Sequence, residues 1–417
     1  MVVGAFRVAL RGGSSRVARH DLFLGVAALW FLGKFVRYAF PPLFDTFQVQ
    51  YGVSTGATGL AFSAFMVVYA LMQFPSGAIA DRIGSVRVIA AGAALAGLGS
   101  LWVLLEPPFL LLAGAMAVIG AGTGVHKTVA VRLLSNAYHA HLGRTLGVFD
   151  TIGAGGGVVA PVAVAAVLTA AVVAWPALFG VTAAAFGLAG AGVLLAARRR
   201  PAASAPGHDG GVLALSSYRR TFARPRVLGF VAVTVLMAFA YNGVVAFLPL
   251  YLVDEAGLSG PMASLLYSLV FVASVSQLVT GEATDRIGPL RVVSATLAVT
   301  ALGLVGLLAI GSGPAWLTDT ATPPVLGVAI FALGIGAHGY RPGRDVYIVS
   351  IVPAATTGGA LGLVRTVLMV AGAVSPGIVG LAVDLVGFRT SFGALAVVLA
   401  AAATLAFVLA GVDRRHG

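Results

Sequence analysis

Apolar runs long enough to cross a bilayer dominate the chain, separated by short segments of glycine, proline or charge. A membrane helix needs about 20 mostly apolar residues. Windows of that kind fall at 21–43, 56–80, 86–105, 108–135, 143–171, 174–197, 226–252, 261–283, 290–311, 324–352, 357–383 and 388–412. Twelve spans are predicted. The tight connections at Glu106-Pro107-Pro108 and Trp175-Pro176 suit antiparallel neighbours.

Composition agrees with this pattern. Of 417 residues, 59% are hydrophobic and only 10% are charged, and the mean hydropathy is +1.00. A soluble domain carries roughly 25% charged residues, so lipid must replace water over most of this exterior. The 55 glycines fit the same picture, because small residues let helices approach closely in lipid. No cysteine is present, which excludes disulfides, thiolate metal sites and a cysteine nucleophile. The formal charge of +12 does not mark a nucleic-acid binder, since the basic residues lie scattered between apolar runs. An apolar run beginning at Leu22 follows Arg7, Arg11, Arg16 and Arg19 in the manner of a secretion signal. It continues past Leu43 without a small-residue cleavage site and reads as an uncleaved first span.

The charge bias orients the spans. With the N-terminus inside, and with basic residues at the first two positions of a window counted with the adjoining loop, 18 of the 26 basic residues fall in cytoplasmic segments, one, Arg389, falls in an external loop, and seven lie within spans. Missing a single span would collapse this split, so twelve helices with both termini cytoplasmic is the predicted topology in a cell membrane. Residues 198–225, rich in Arg, Pro, Ala and Gly, read as a flexible cytoplasmic linker. They divide an N-terminal six-helix bundle, 1–197, from a C-terminal one, 226–417.

The two halves repeat. GAIADRIGSVRV from Gly77 matches GEATDRIGPLRV from Gly281 at an offset of 204, and GAGTGVHK from Gly120 matches GIGAHGYR from Gly334 at an offset of 214. Leu146, Gly147 and Pro161 correspond to Leu361, Gly362 and Pro376 at 215. At these residues the chain resembles the major facilitator superfamily, whose loop between helices two and three carries G-x-x-x-D-R-x-G-R-[RK]. Gly77, Asp81, Arg82 and Gly84 match it, with Arg87 one residue beyond its last basic position; Gly281, Asp285, Arg286 and Gly288, again with Arg291 one residue beyond, form a weaker second copy. Ser85 and Pro289 stand where the pattern has a basic residue. The resemblance covers the whole chain and implies an all-α membrane protein of two pseudo-symmetric bundles that rock about a central site. It also implies conformational roles for Asp81, Arg82, Arg87, Asp285 and Arg286, against the plainer reading that Asp-Arg simply ends a span.

Ionisable groups within a bilayer are costly and mark pathways or pairs. Lys34 lies about 20 Å into the first span at 1.5 Å per residue, and Arg37 follows on a similar face. His126 and Lys127 lie on the fourth span; their repeat partners, Tyr340 and Arg341, lie on the tenth, with His338 deeper. In the family the first, fourth, seventh and tenth helices line the cavity. The resemblance therefore implies a substrate-binding set of Lys34, Arg37, His126, Lys127, His338, Tyr340 and Arg341, with Tyr241 and Asn242 as neutral candidates. That set has no midplane acid to neutralise it, so an anion is the natural counter-charge. Against this, Arg37, Lys127 and Arg341 have side chains long enough to snorkel to an interface.

Asp150 and Asp345 are the acids well inside spans. Arg132 is placed to reach Asp150 and Arg365 to reach Asp345, which would neutralise charge within each half; a gating contact between Asp150 and Arg365 is the alternative. The function expected is secondary transport of a small anion, such as an organic carboxylate, by alternating access, with protons as a coupling ion. The alternative is a multidrug or metabolite efflux antiporter. Nucleophile motif, metal spacing and phosphate loop are all missing from the sequence, so neither an enzyme nor a cofactor or metal is expected, and the expected oligomeric state is a monomer.

Overall fold

The structure, a computed structural model, describes residues 2–138, 142–170, 174–199, 222, 224–311, 322–352 and 357–413. Among them all regular structure is helical. The helices are α1 (Val2–Ala39), α2 (Phe44–Tyr51), α3 (Thr55–Ile83), α4 (Ser85–Leu104), α5 (Phe109–Ala137), α6 (Leu142–Thr169) and α7 (Pro176–Arg198). There follow α8 (Pro225–Asp254), α9 (Gly260–Val272), α10 (Ser276–Ile287), α11 (Pro289–Gly311), α12 (Thr322–Ile351) and α13 (Thr357–Asp413). The linker expected at 198–225 falls mostly outside the described residues, as do Arg414 and Arg415.

Eleven helical stretches among the described residues are long and apolar enough to cross a membrane. The last, Leu363–Val412, has 50 residues, about 75 Å of helix, against a hydrocarbon core of about 30 Å. Gly387, at φ 78° and ψ 167°, breaks it, so it supplies two crossings and the total is twelve. Local chemistry accounts for the other departures from uniform rods. Pro41 and Pro42 end α1 at Ala39 and start a 3-10 turn, since proline offers no N–H to the preceding turn. A 3-10 turn at Ala273–Val275 divides the eighth span into α9 and α10.

The repeated motif has a backbone reason. Gly84 links α3 to α4 at φ 93°, ψ 143°, and Gly288 links α10 to α11 at φ 91°, ψ 149°. A side chain is strained in that region, so a one-residue reversal between antiparallel spans demands glycine in both halves.

Packing forms two compact units: Met1–Ala39, Ala64–Ala163 and Ala170–Asp209 in one, Phe40–Ser63, Val164–Thr169 and Gly210–Gly417 in the other. In the first, glycines bring backbones together. A Cβ on Gly120 would strike the Phe65 carbonyl and one on Gly124 the Tyr69 carbonyl, which fixes α5 against α3. The GAGGG run at 153–157 does the same for α6: a Cβ on Gly153 would strike the Trp30 ring and one on Gly156 the Phe31 carbonyl. The second unit is tied at the start of α3. Gly56 N–H donates to Asp384 Oδ2 (2.9 Å), and Gly377 N–H donates to Ser63 Oγ (2.7 Å) in a buried bond. Beside these bonds Phe44 meets Phe247 at 5.6 Å between ring centroids.

Candidate functional site

In the first unit the charged and aromatic residues gather around Trp30. Trp30, Lys34 and Tyr38 are spaced i, i+4, i+8 on α1, so their side chains lie on one face. Lys34 Nζ sits 4.9 Å from the Trp30 ring centroid and 5.5 Å from that of Tyr38. Lys127, from α5, brings its Nζ to 5.2 Å from the same Trp30 ring. Trp30 is buried and stacks on Phe149 of α6 at 6.0 Å, and its seat there exists because Gly153 has no side chain. Arg37 lies half-buried with its Cζ 5.4 Å from the Tyr38 ring and 5.5 Å from that of Tyr69 on α3. Each such contact contributes about 0.5–1 kcal/mol where exposed and about 2 where desolvated. The aromatic faces thus offset part of the cost of holding three cations within the spans, and they fix where the charges sit.

The ion pairs differ from the expected ones. Asp150 on α6 meets Lys127, Oδ1 to Nζ 3.0 Å, and not Arg132. Arg132 instead pairs with Asp81, the motif aspartate one turn before Gly84. Arg132 lies five residues, about 7.5 Å of helix, nearer the end of α5 than Lys127 does, and there it reaches the end of α3. The motif carries a second contact, since Arg87 Nη1 donates to the Ile83 carbonyl (3.5 Å). Arg82 is exposed.

His126 stands apart from the Trp30 cluster. Its ring is 1% exposed and stacks on Phe186 of α7 at 6.3 Å, while its Nε2 faces Gly92 of α4. One residue of helix is about 100° of rotation, which turns His126 into the α4–α7 packing while Lys127 faces Trp30.

In the second unit, His338 on α12 is buried beside Tyr241 of α8, whose hydroxyl lies 3.4 Å from His338 Nε2. Phe271 of α9 covers the histidine ring at 6.4 Å. Asn242 donates to the Ala238 carbonyl (2.8 Å). Tyr340, also buried, accepts from Arg344 Nη1 (3.3 Å) and lies under its guanidinium at 5.3 Å. Arg344 also holds Asp345 at 2.8 Å, so the expected Arg365–Asp345 contact gives way to a pair between adjacent residues. Arg365 is exposed on α13, and Arg341 is half-buried. Neither makes an ion pair among the described residues.

The second copy of the motif is also wired differently. Arg286 pairs with Glu282 one turn back on its own helix, and exposed Asp285 has no ion-pair partner among the described residues. The repeat supplies the reason: the offset of 214 puts Val346 where the first half has Arg132. The same comparison sets Arg341 and Arg365 where the first half has Lys127 and Asp150, so an attractive pair in one half corresponds to two like charges in the other. Trp30, Tyr38 and Tyr69 are not among the residues expected from the sequence, where in the first half only ionisable groups within spans were followed. The i, i+4 spacing of Trp30, Lys34 and Tyr38 is the signal that would have found two of them.

Comparison with known proteins gives one family and one fold. A family model described as Major Facilitator Superfamily matches residues 24–318 and 263–417. No curated protein matches in sequence. Among solved structures, a bacterial homologue of the human lysosomal transporter Spinster, inward-facing and unoccupied, superposes with a TM-score of 0.79 at 16% identity, covering 94% of this chain and 97% of that one. A D-xylose-proton symporter gives 0.73 at 15% identity, covering 93% and 97%. The nucleoside transporter NupG gives 0.72 at 14% identity, covering 93% and 99%.

Proposed function

Since the chain belongs to the Major Facilitator Superfamily, we propose that this multi-pass membrane transporter, which is not an enzyme, carries a small anion, such as an organic carboxylate, by alternating access. The observation that carries the proposal is the sharing of Trp30 by two ammonium groups, Lys34 and Lys127, with Arg37 held nearby between Tyr38 and Tyr69. Asp150 is the one acid of the first half well inside a span. Three cations gathered on neighbouring aromatic faces within the spans suit a solute that carries a carboxylate, which each of them attracts. The aromatic rings suit a solute whose carboxylate is joined to an apolar body.

In this reading Asp150 competes with the solute for Lys127, and a proton on Asp150 or His338 accompanies the anion. Arg341 and Tyr340 are the corresponding candidates in the second half. Asp81, Arg132 and Arg87 hold the end of α3, with Arg82, Asp285, Arg286, Asp345 and Arg365 as further conformational residues. The working topology is a monomer in the cell membrane with both termini cytoplasmic, the halves 1–197 and 226–417 moving about the linker 198–225.

The test is counterflow into proteoliposomes of a panel of mono- and dicarboxylates by the parent and by Lys34→Ala and Arg341→Ala. Loss of uptake of one or more carboxylates in Lys34→Ala is expected. The proposal fails if binding and transport of every anion are unchanged by both substitutions.

A further inference from the structure

A groove of about 670 Å³ follows the seam between α1 and α7 within the first unit. At one end stand Asp21 and Arg199, their Oδ2 and Nη1 3.6 Å apart, and beyond them the lining is apolar. Leu24, Leu188 and Leu195 on its walls are 60%, 77% and 54% exposed. In a chain whose exterior is largely lipid-facing, such a groove opens to hydrocarbon. None of Trp30, Lys34, Arg37 or Lys127 lines it, so it is separate from the charged cluster.

Its length is informative. The lining runs along α1 from Asp21 to Leu32 and along α7 from Arg199 back to Ala185, which is about 17 and 21 Å of helix. One leaflet of hydrocarbon is about 15 Å, half of a core about 30 Å thick. A slot that is charged at one end, apolar along a leaflet's depth and open at the side has the dimensions of a single acyl chain below its headgroup. The charged end fits a phosphate diester, because a guanidinium presents a planar fork to two phosphate oxygens. Arg199 is two-thirds exposed, Asp21 steadies it, and Arg198 precedes it at the end of α7.

We propose that this groove binds one membrane phospholipid, its acyl chain between α1 and α7 and its phosphate on Arg199. Gly192 gives a direct steric test. It lines the groove, and a Cβ built there meets nothing within 4 Å. Gly192→Leu therefore fills the slot without displacing backbone, and it replaces a helical glycine by a better helix former.

The full chain is purified in detergent, stripped of lipid, titrated with dioleoyl phosphatidylglycerol and weighed by native mass spectrometry. One phospholipid held above the non-specific background is expected for the parent. Gly192→Leu is expected to weaken that binding about tenfold, and Arg199→Gln to weaken it several-fold. Oleyl alcohol, which has the chain without the phosphate, is expected to be held no better by the parent than by Arg199→Gln. Equal lipid occupancy in the parent and Gly192→Leu overturns the proposal. So does a Gly192→Leu variant that changes the monomer–dimer ratio and leaves the lipid count alone, since a second copy would then cover the groove. Thermal unfolding of each variant checks the fold, and Ala189→Leu, on the same wall, replaces Gly192→Leu if that variant is unstable.

Discussion

The Lys127–Asp150 pair separates a competitive role for Asp150 from a merely structural one. At 3.0 Å, two unit charges attract by about 5 kcal/mol at an effective dielectric constant of 20. The carboxylate is 53% exposed and the ammonium 25%, so solvent screening wins and the pair belongs to the surface class, about 1 kcal/mol at most. Asp150→Asn removes the resident competitor for Lys127. If a solute carboxylate takes that place, its affinity rises by up to about fivefold, the equivalent of about 1 kcal/mol. Lys127→Gln lowers affinity, and in that background Asp150→Asn has no further effect. The four proteins are compared by titrating whichever carboxylate the liposome panel identifies and following tryptophan fluorescence, to which Trp30 reports from within the cluster. An Asp150→Asn protein that binds more weakly than the parent, or equal effects of Asp150→Asn with and without Lys127, refutes the competition.

Two further outcomes test the fold's contribution. Gly84→Ala forces a side chain to φ 93° and costs about 1–3 kcal/mol, whereas Gly77→Ala, at a helical position where a Cβ meets nothing within 4 Å, is neutral or stabilising; thermal unfolding followed by intrinsic fluorescence distinguishes them. Ser63→Ala leaves the Gly377 N–H without its buried acceptor at a cost of about 1–3 kcal/mol. The chain has no cysteine, so spin labels on Val49→Cys and Leu385→Cys, both strongly exposed, report whether the distance distribution across the Asp384 contact then broadens; an unchanged distribution argues against a fastening role for Ser63.

Much of this protein is written along the chain in one dimension. Twenty apolar residues cross a bilayer whatever surrounds them, so the spans follow from hydropathy, and the break at Gly387 that keeps the last two apart lies between the windows 357–383 and 388–412. The motif glycines are equally local: Gly84 and Gly288 are needed because one residue must reverse the chain, a demand of backbone sterics at that residue alone. The repeat even predicts an asymmetry, because Val346 has no charge with which to answer Asp285 as Arg132 answers Asp81.

Which side chains meet was decided only in three dimensions. His126 and Lys127 are neighbours in sequence, yet a helical step of about 100° sends one into the α4–α7 packing and the other to Trp30. Asp150 pairs with Lys127 and not with Arg132, and the glycines of α6 bring it beside α1 by admitting the Trp30 ring and the Phe31 carbonyl where a methyl would collide. Hydropathy records how apolar a span is and almost nothing about its rotation or depth against its neighbours. Those two quantities convert a list of charges within a membrane into one cluster around an indole ring.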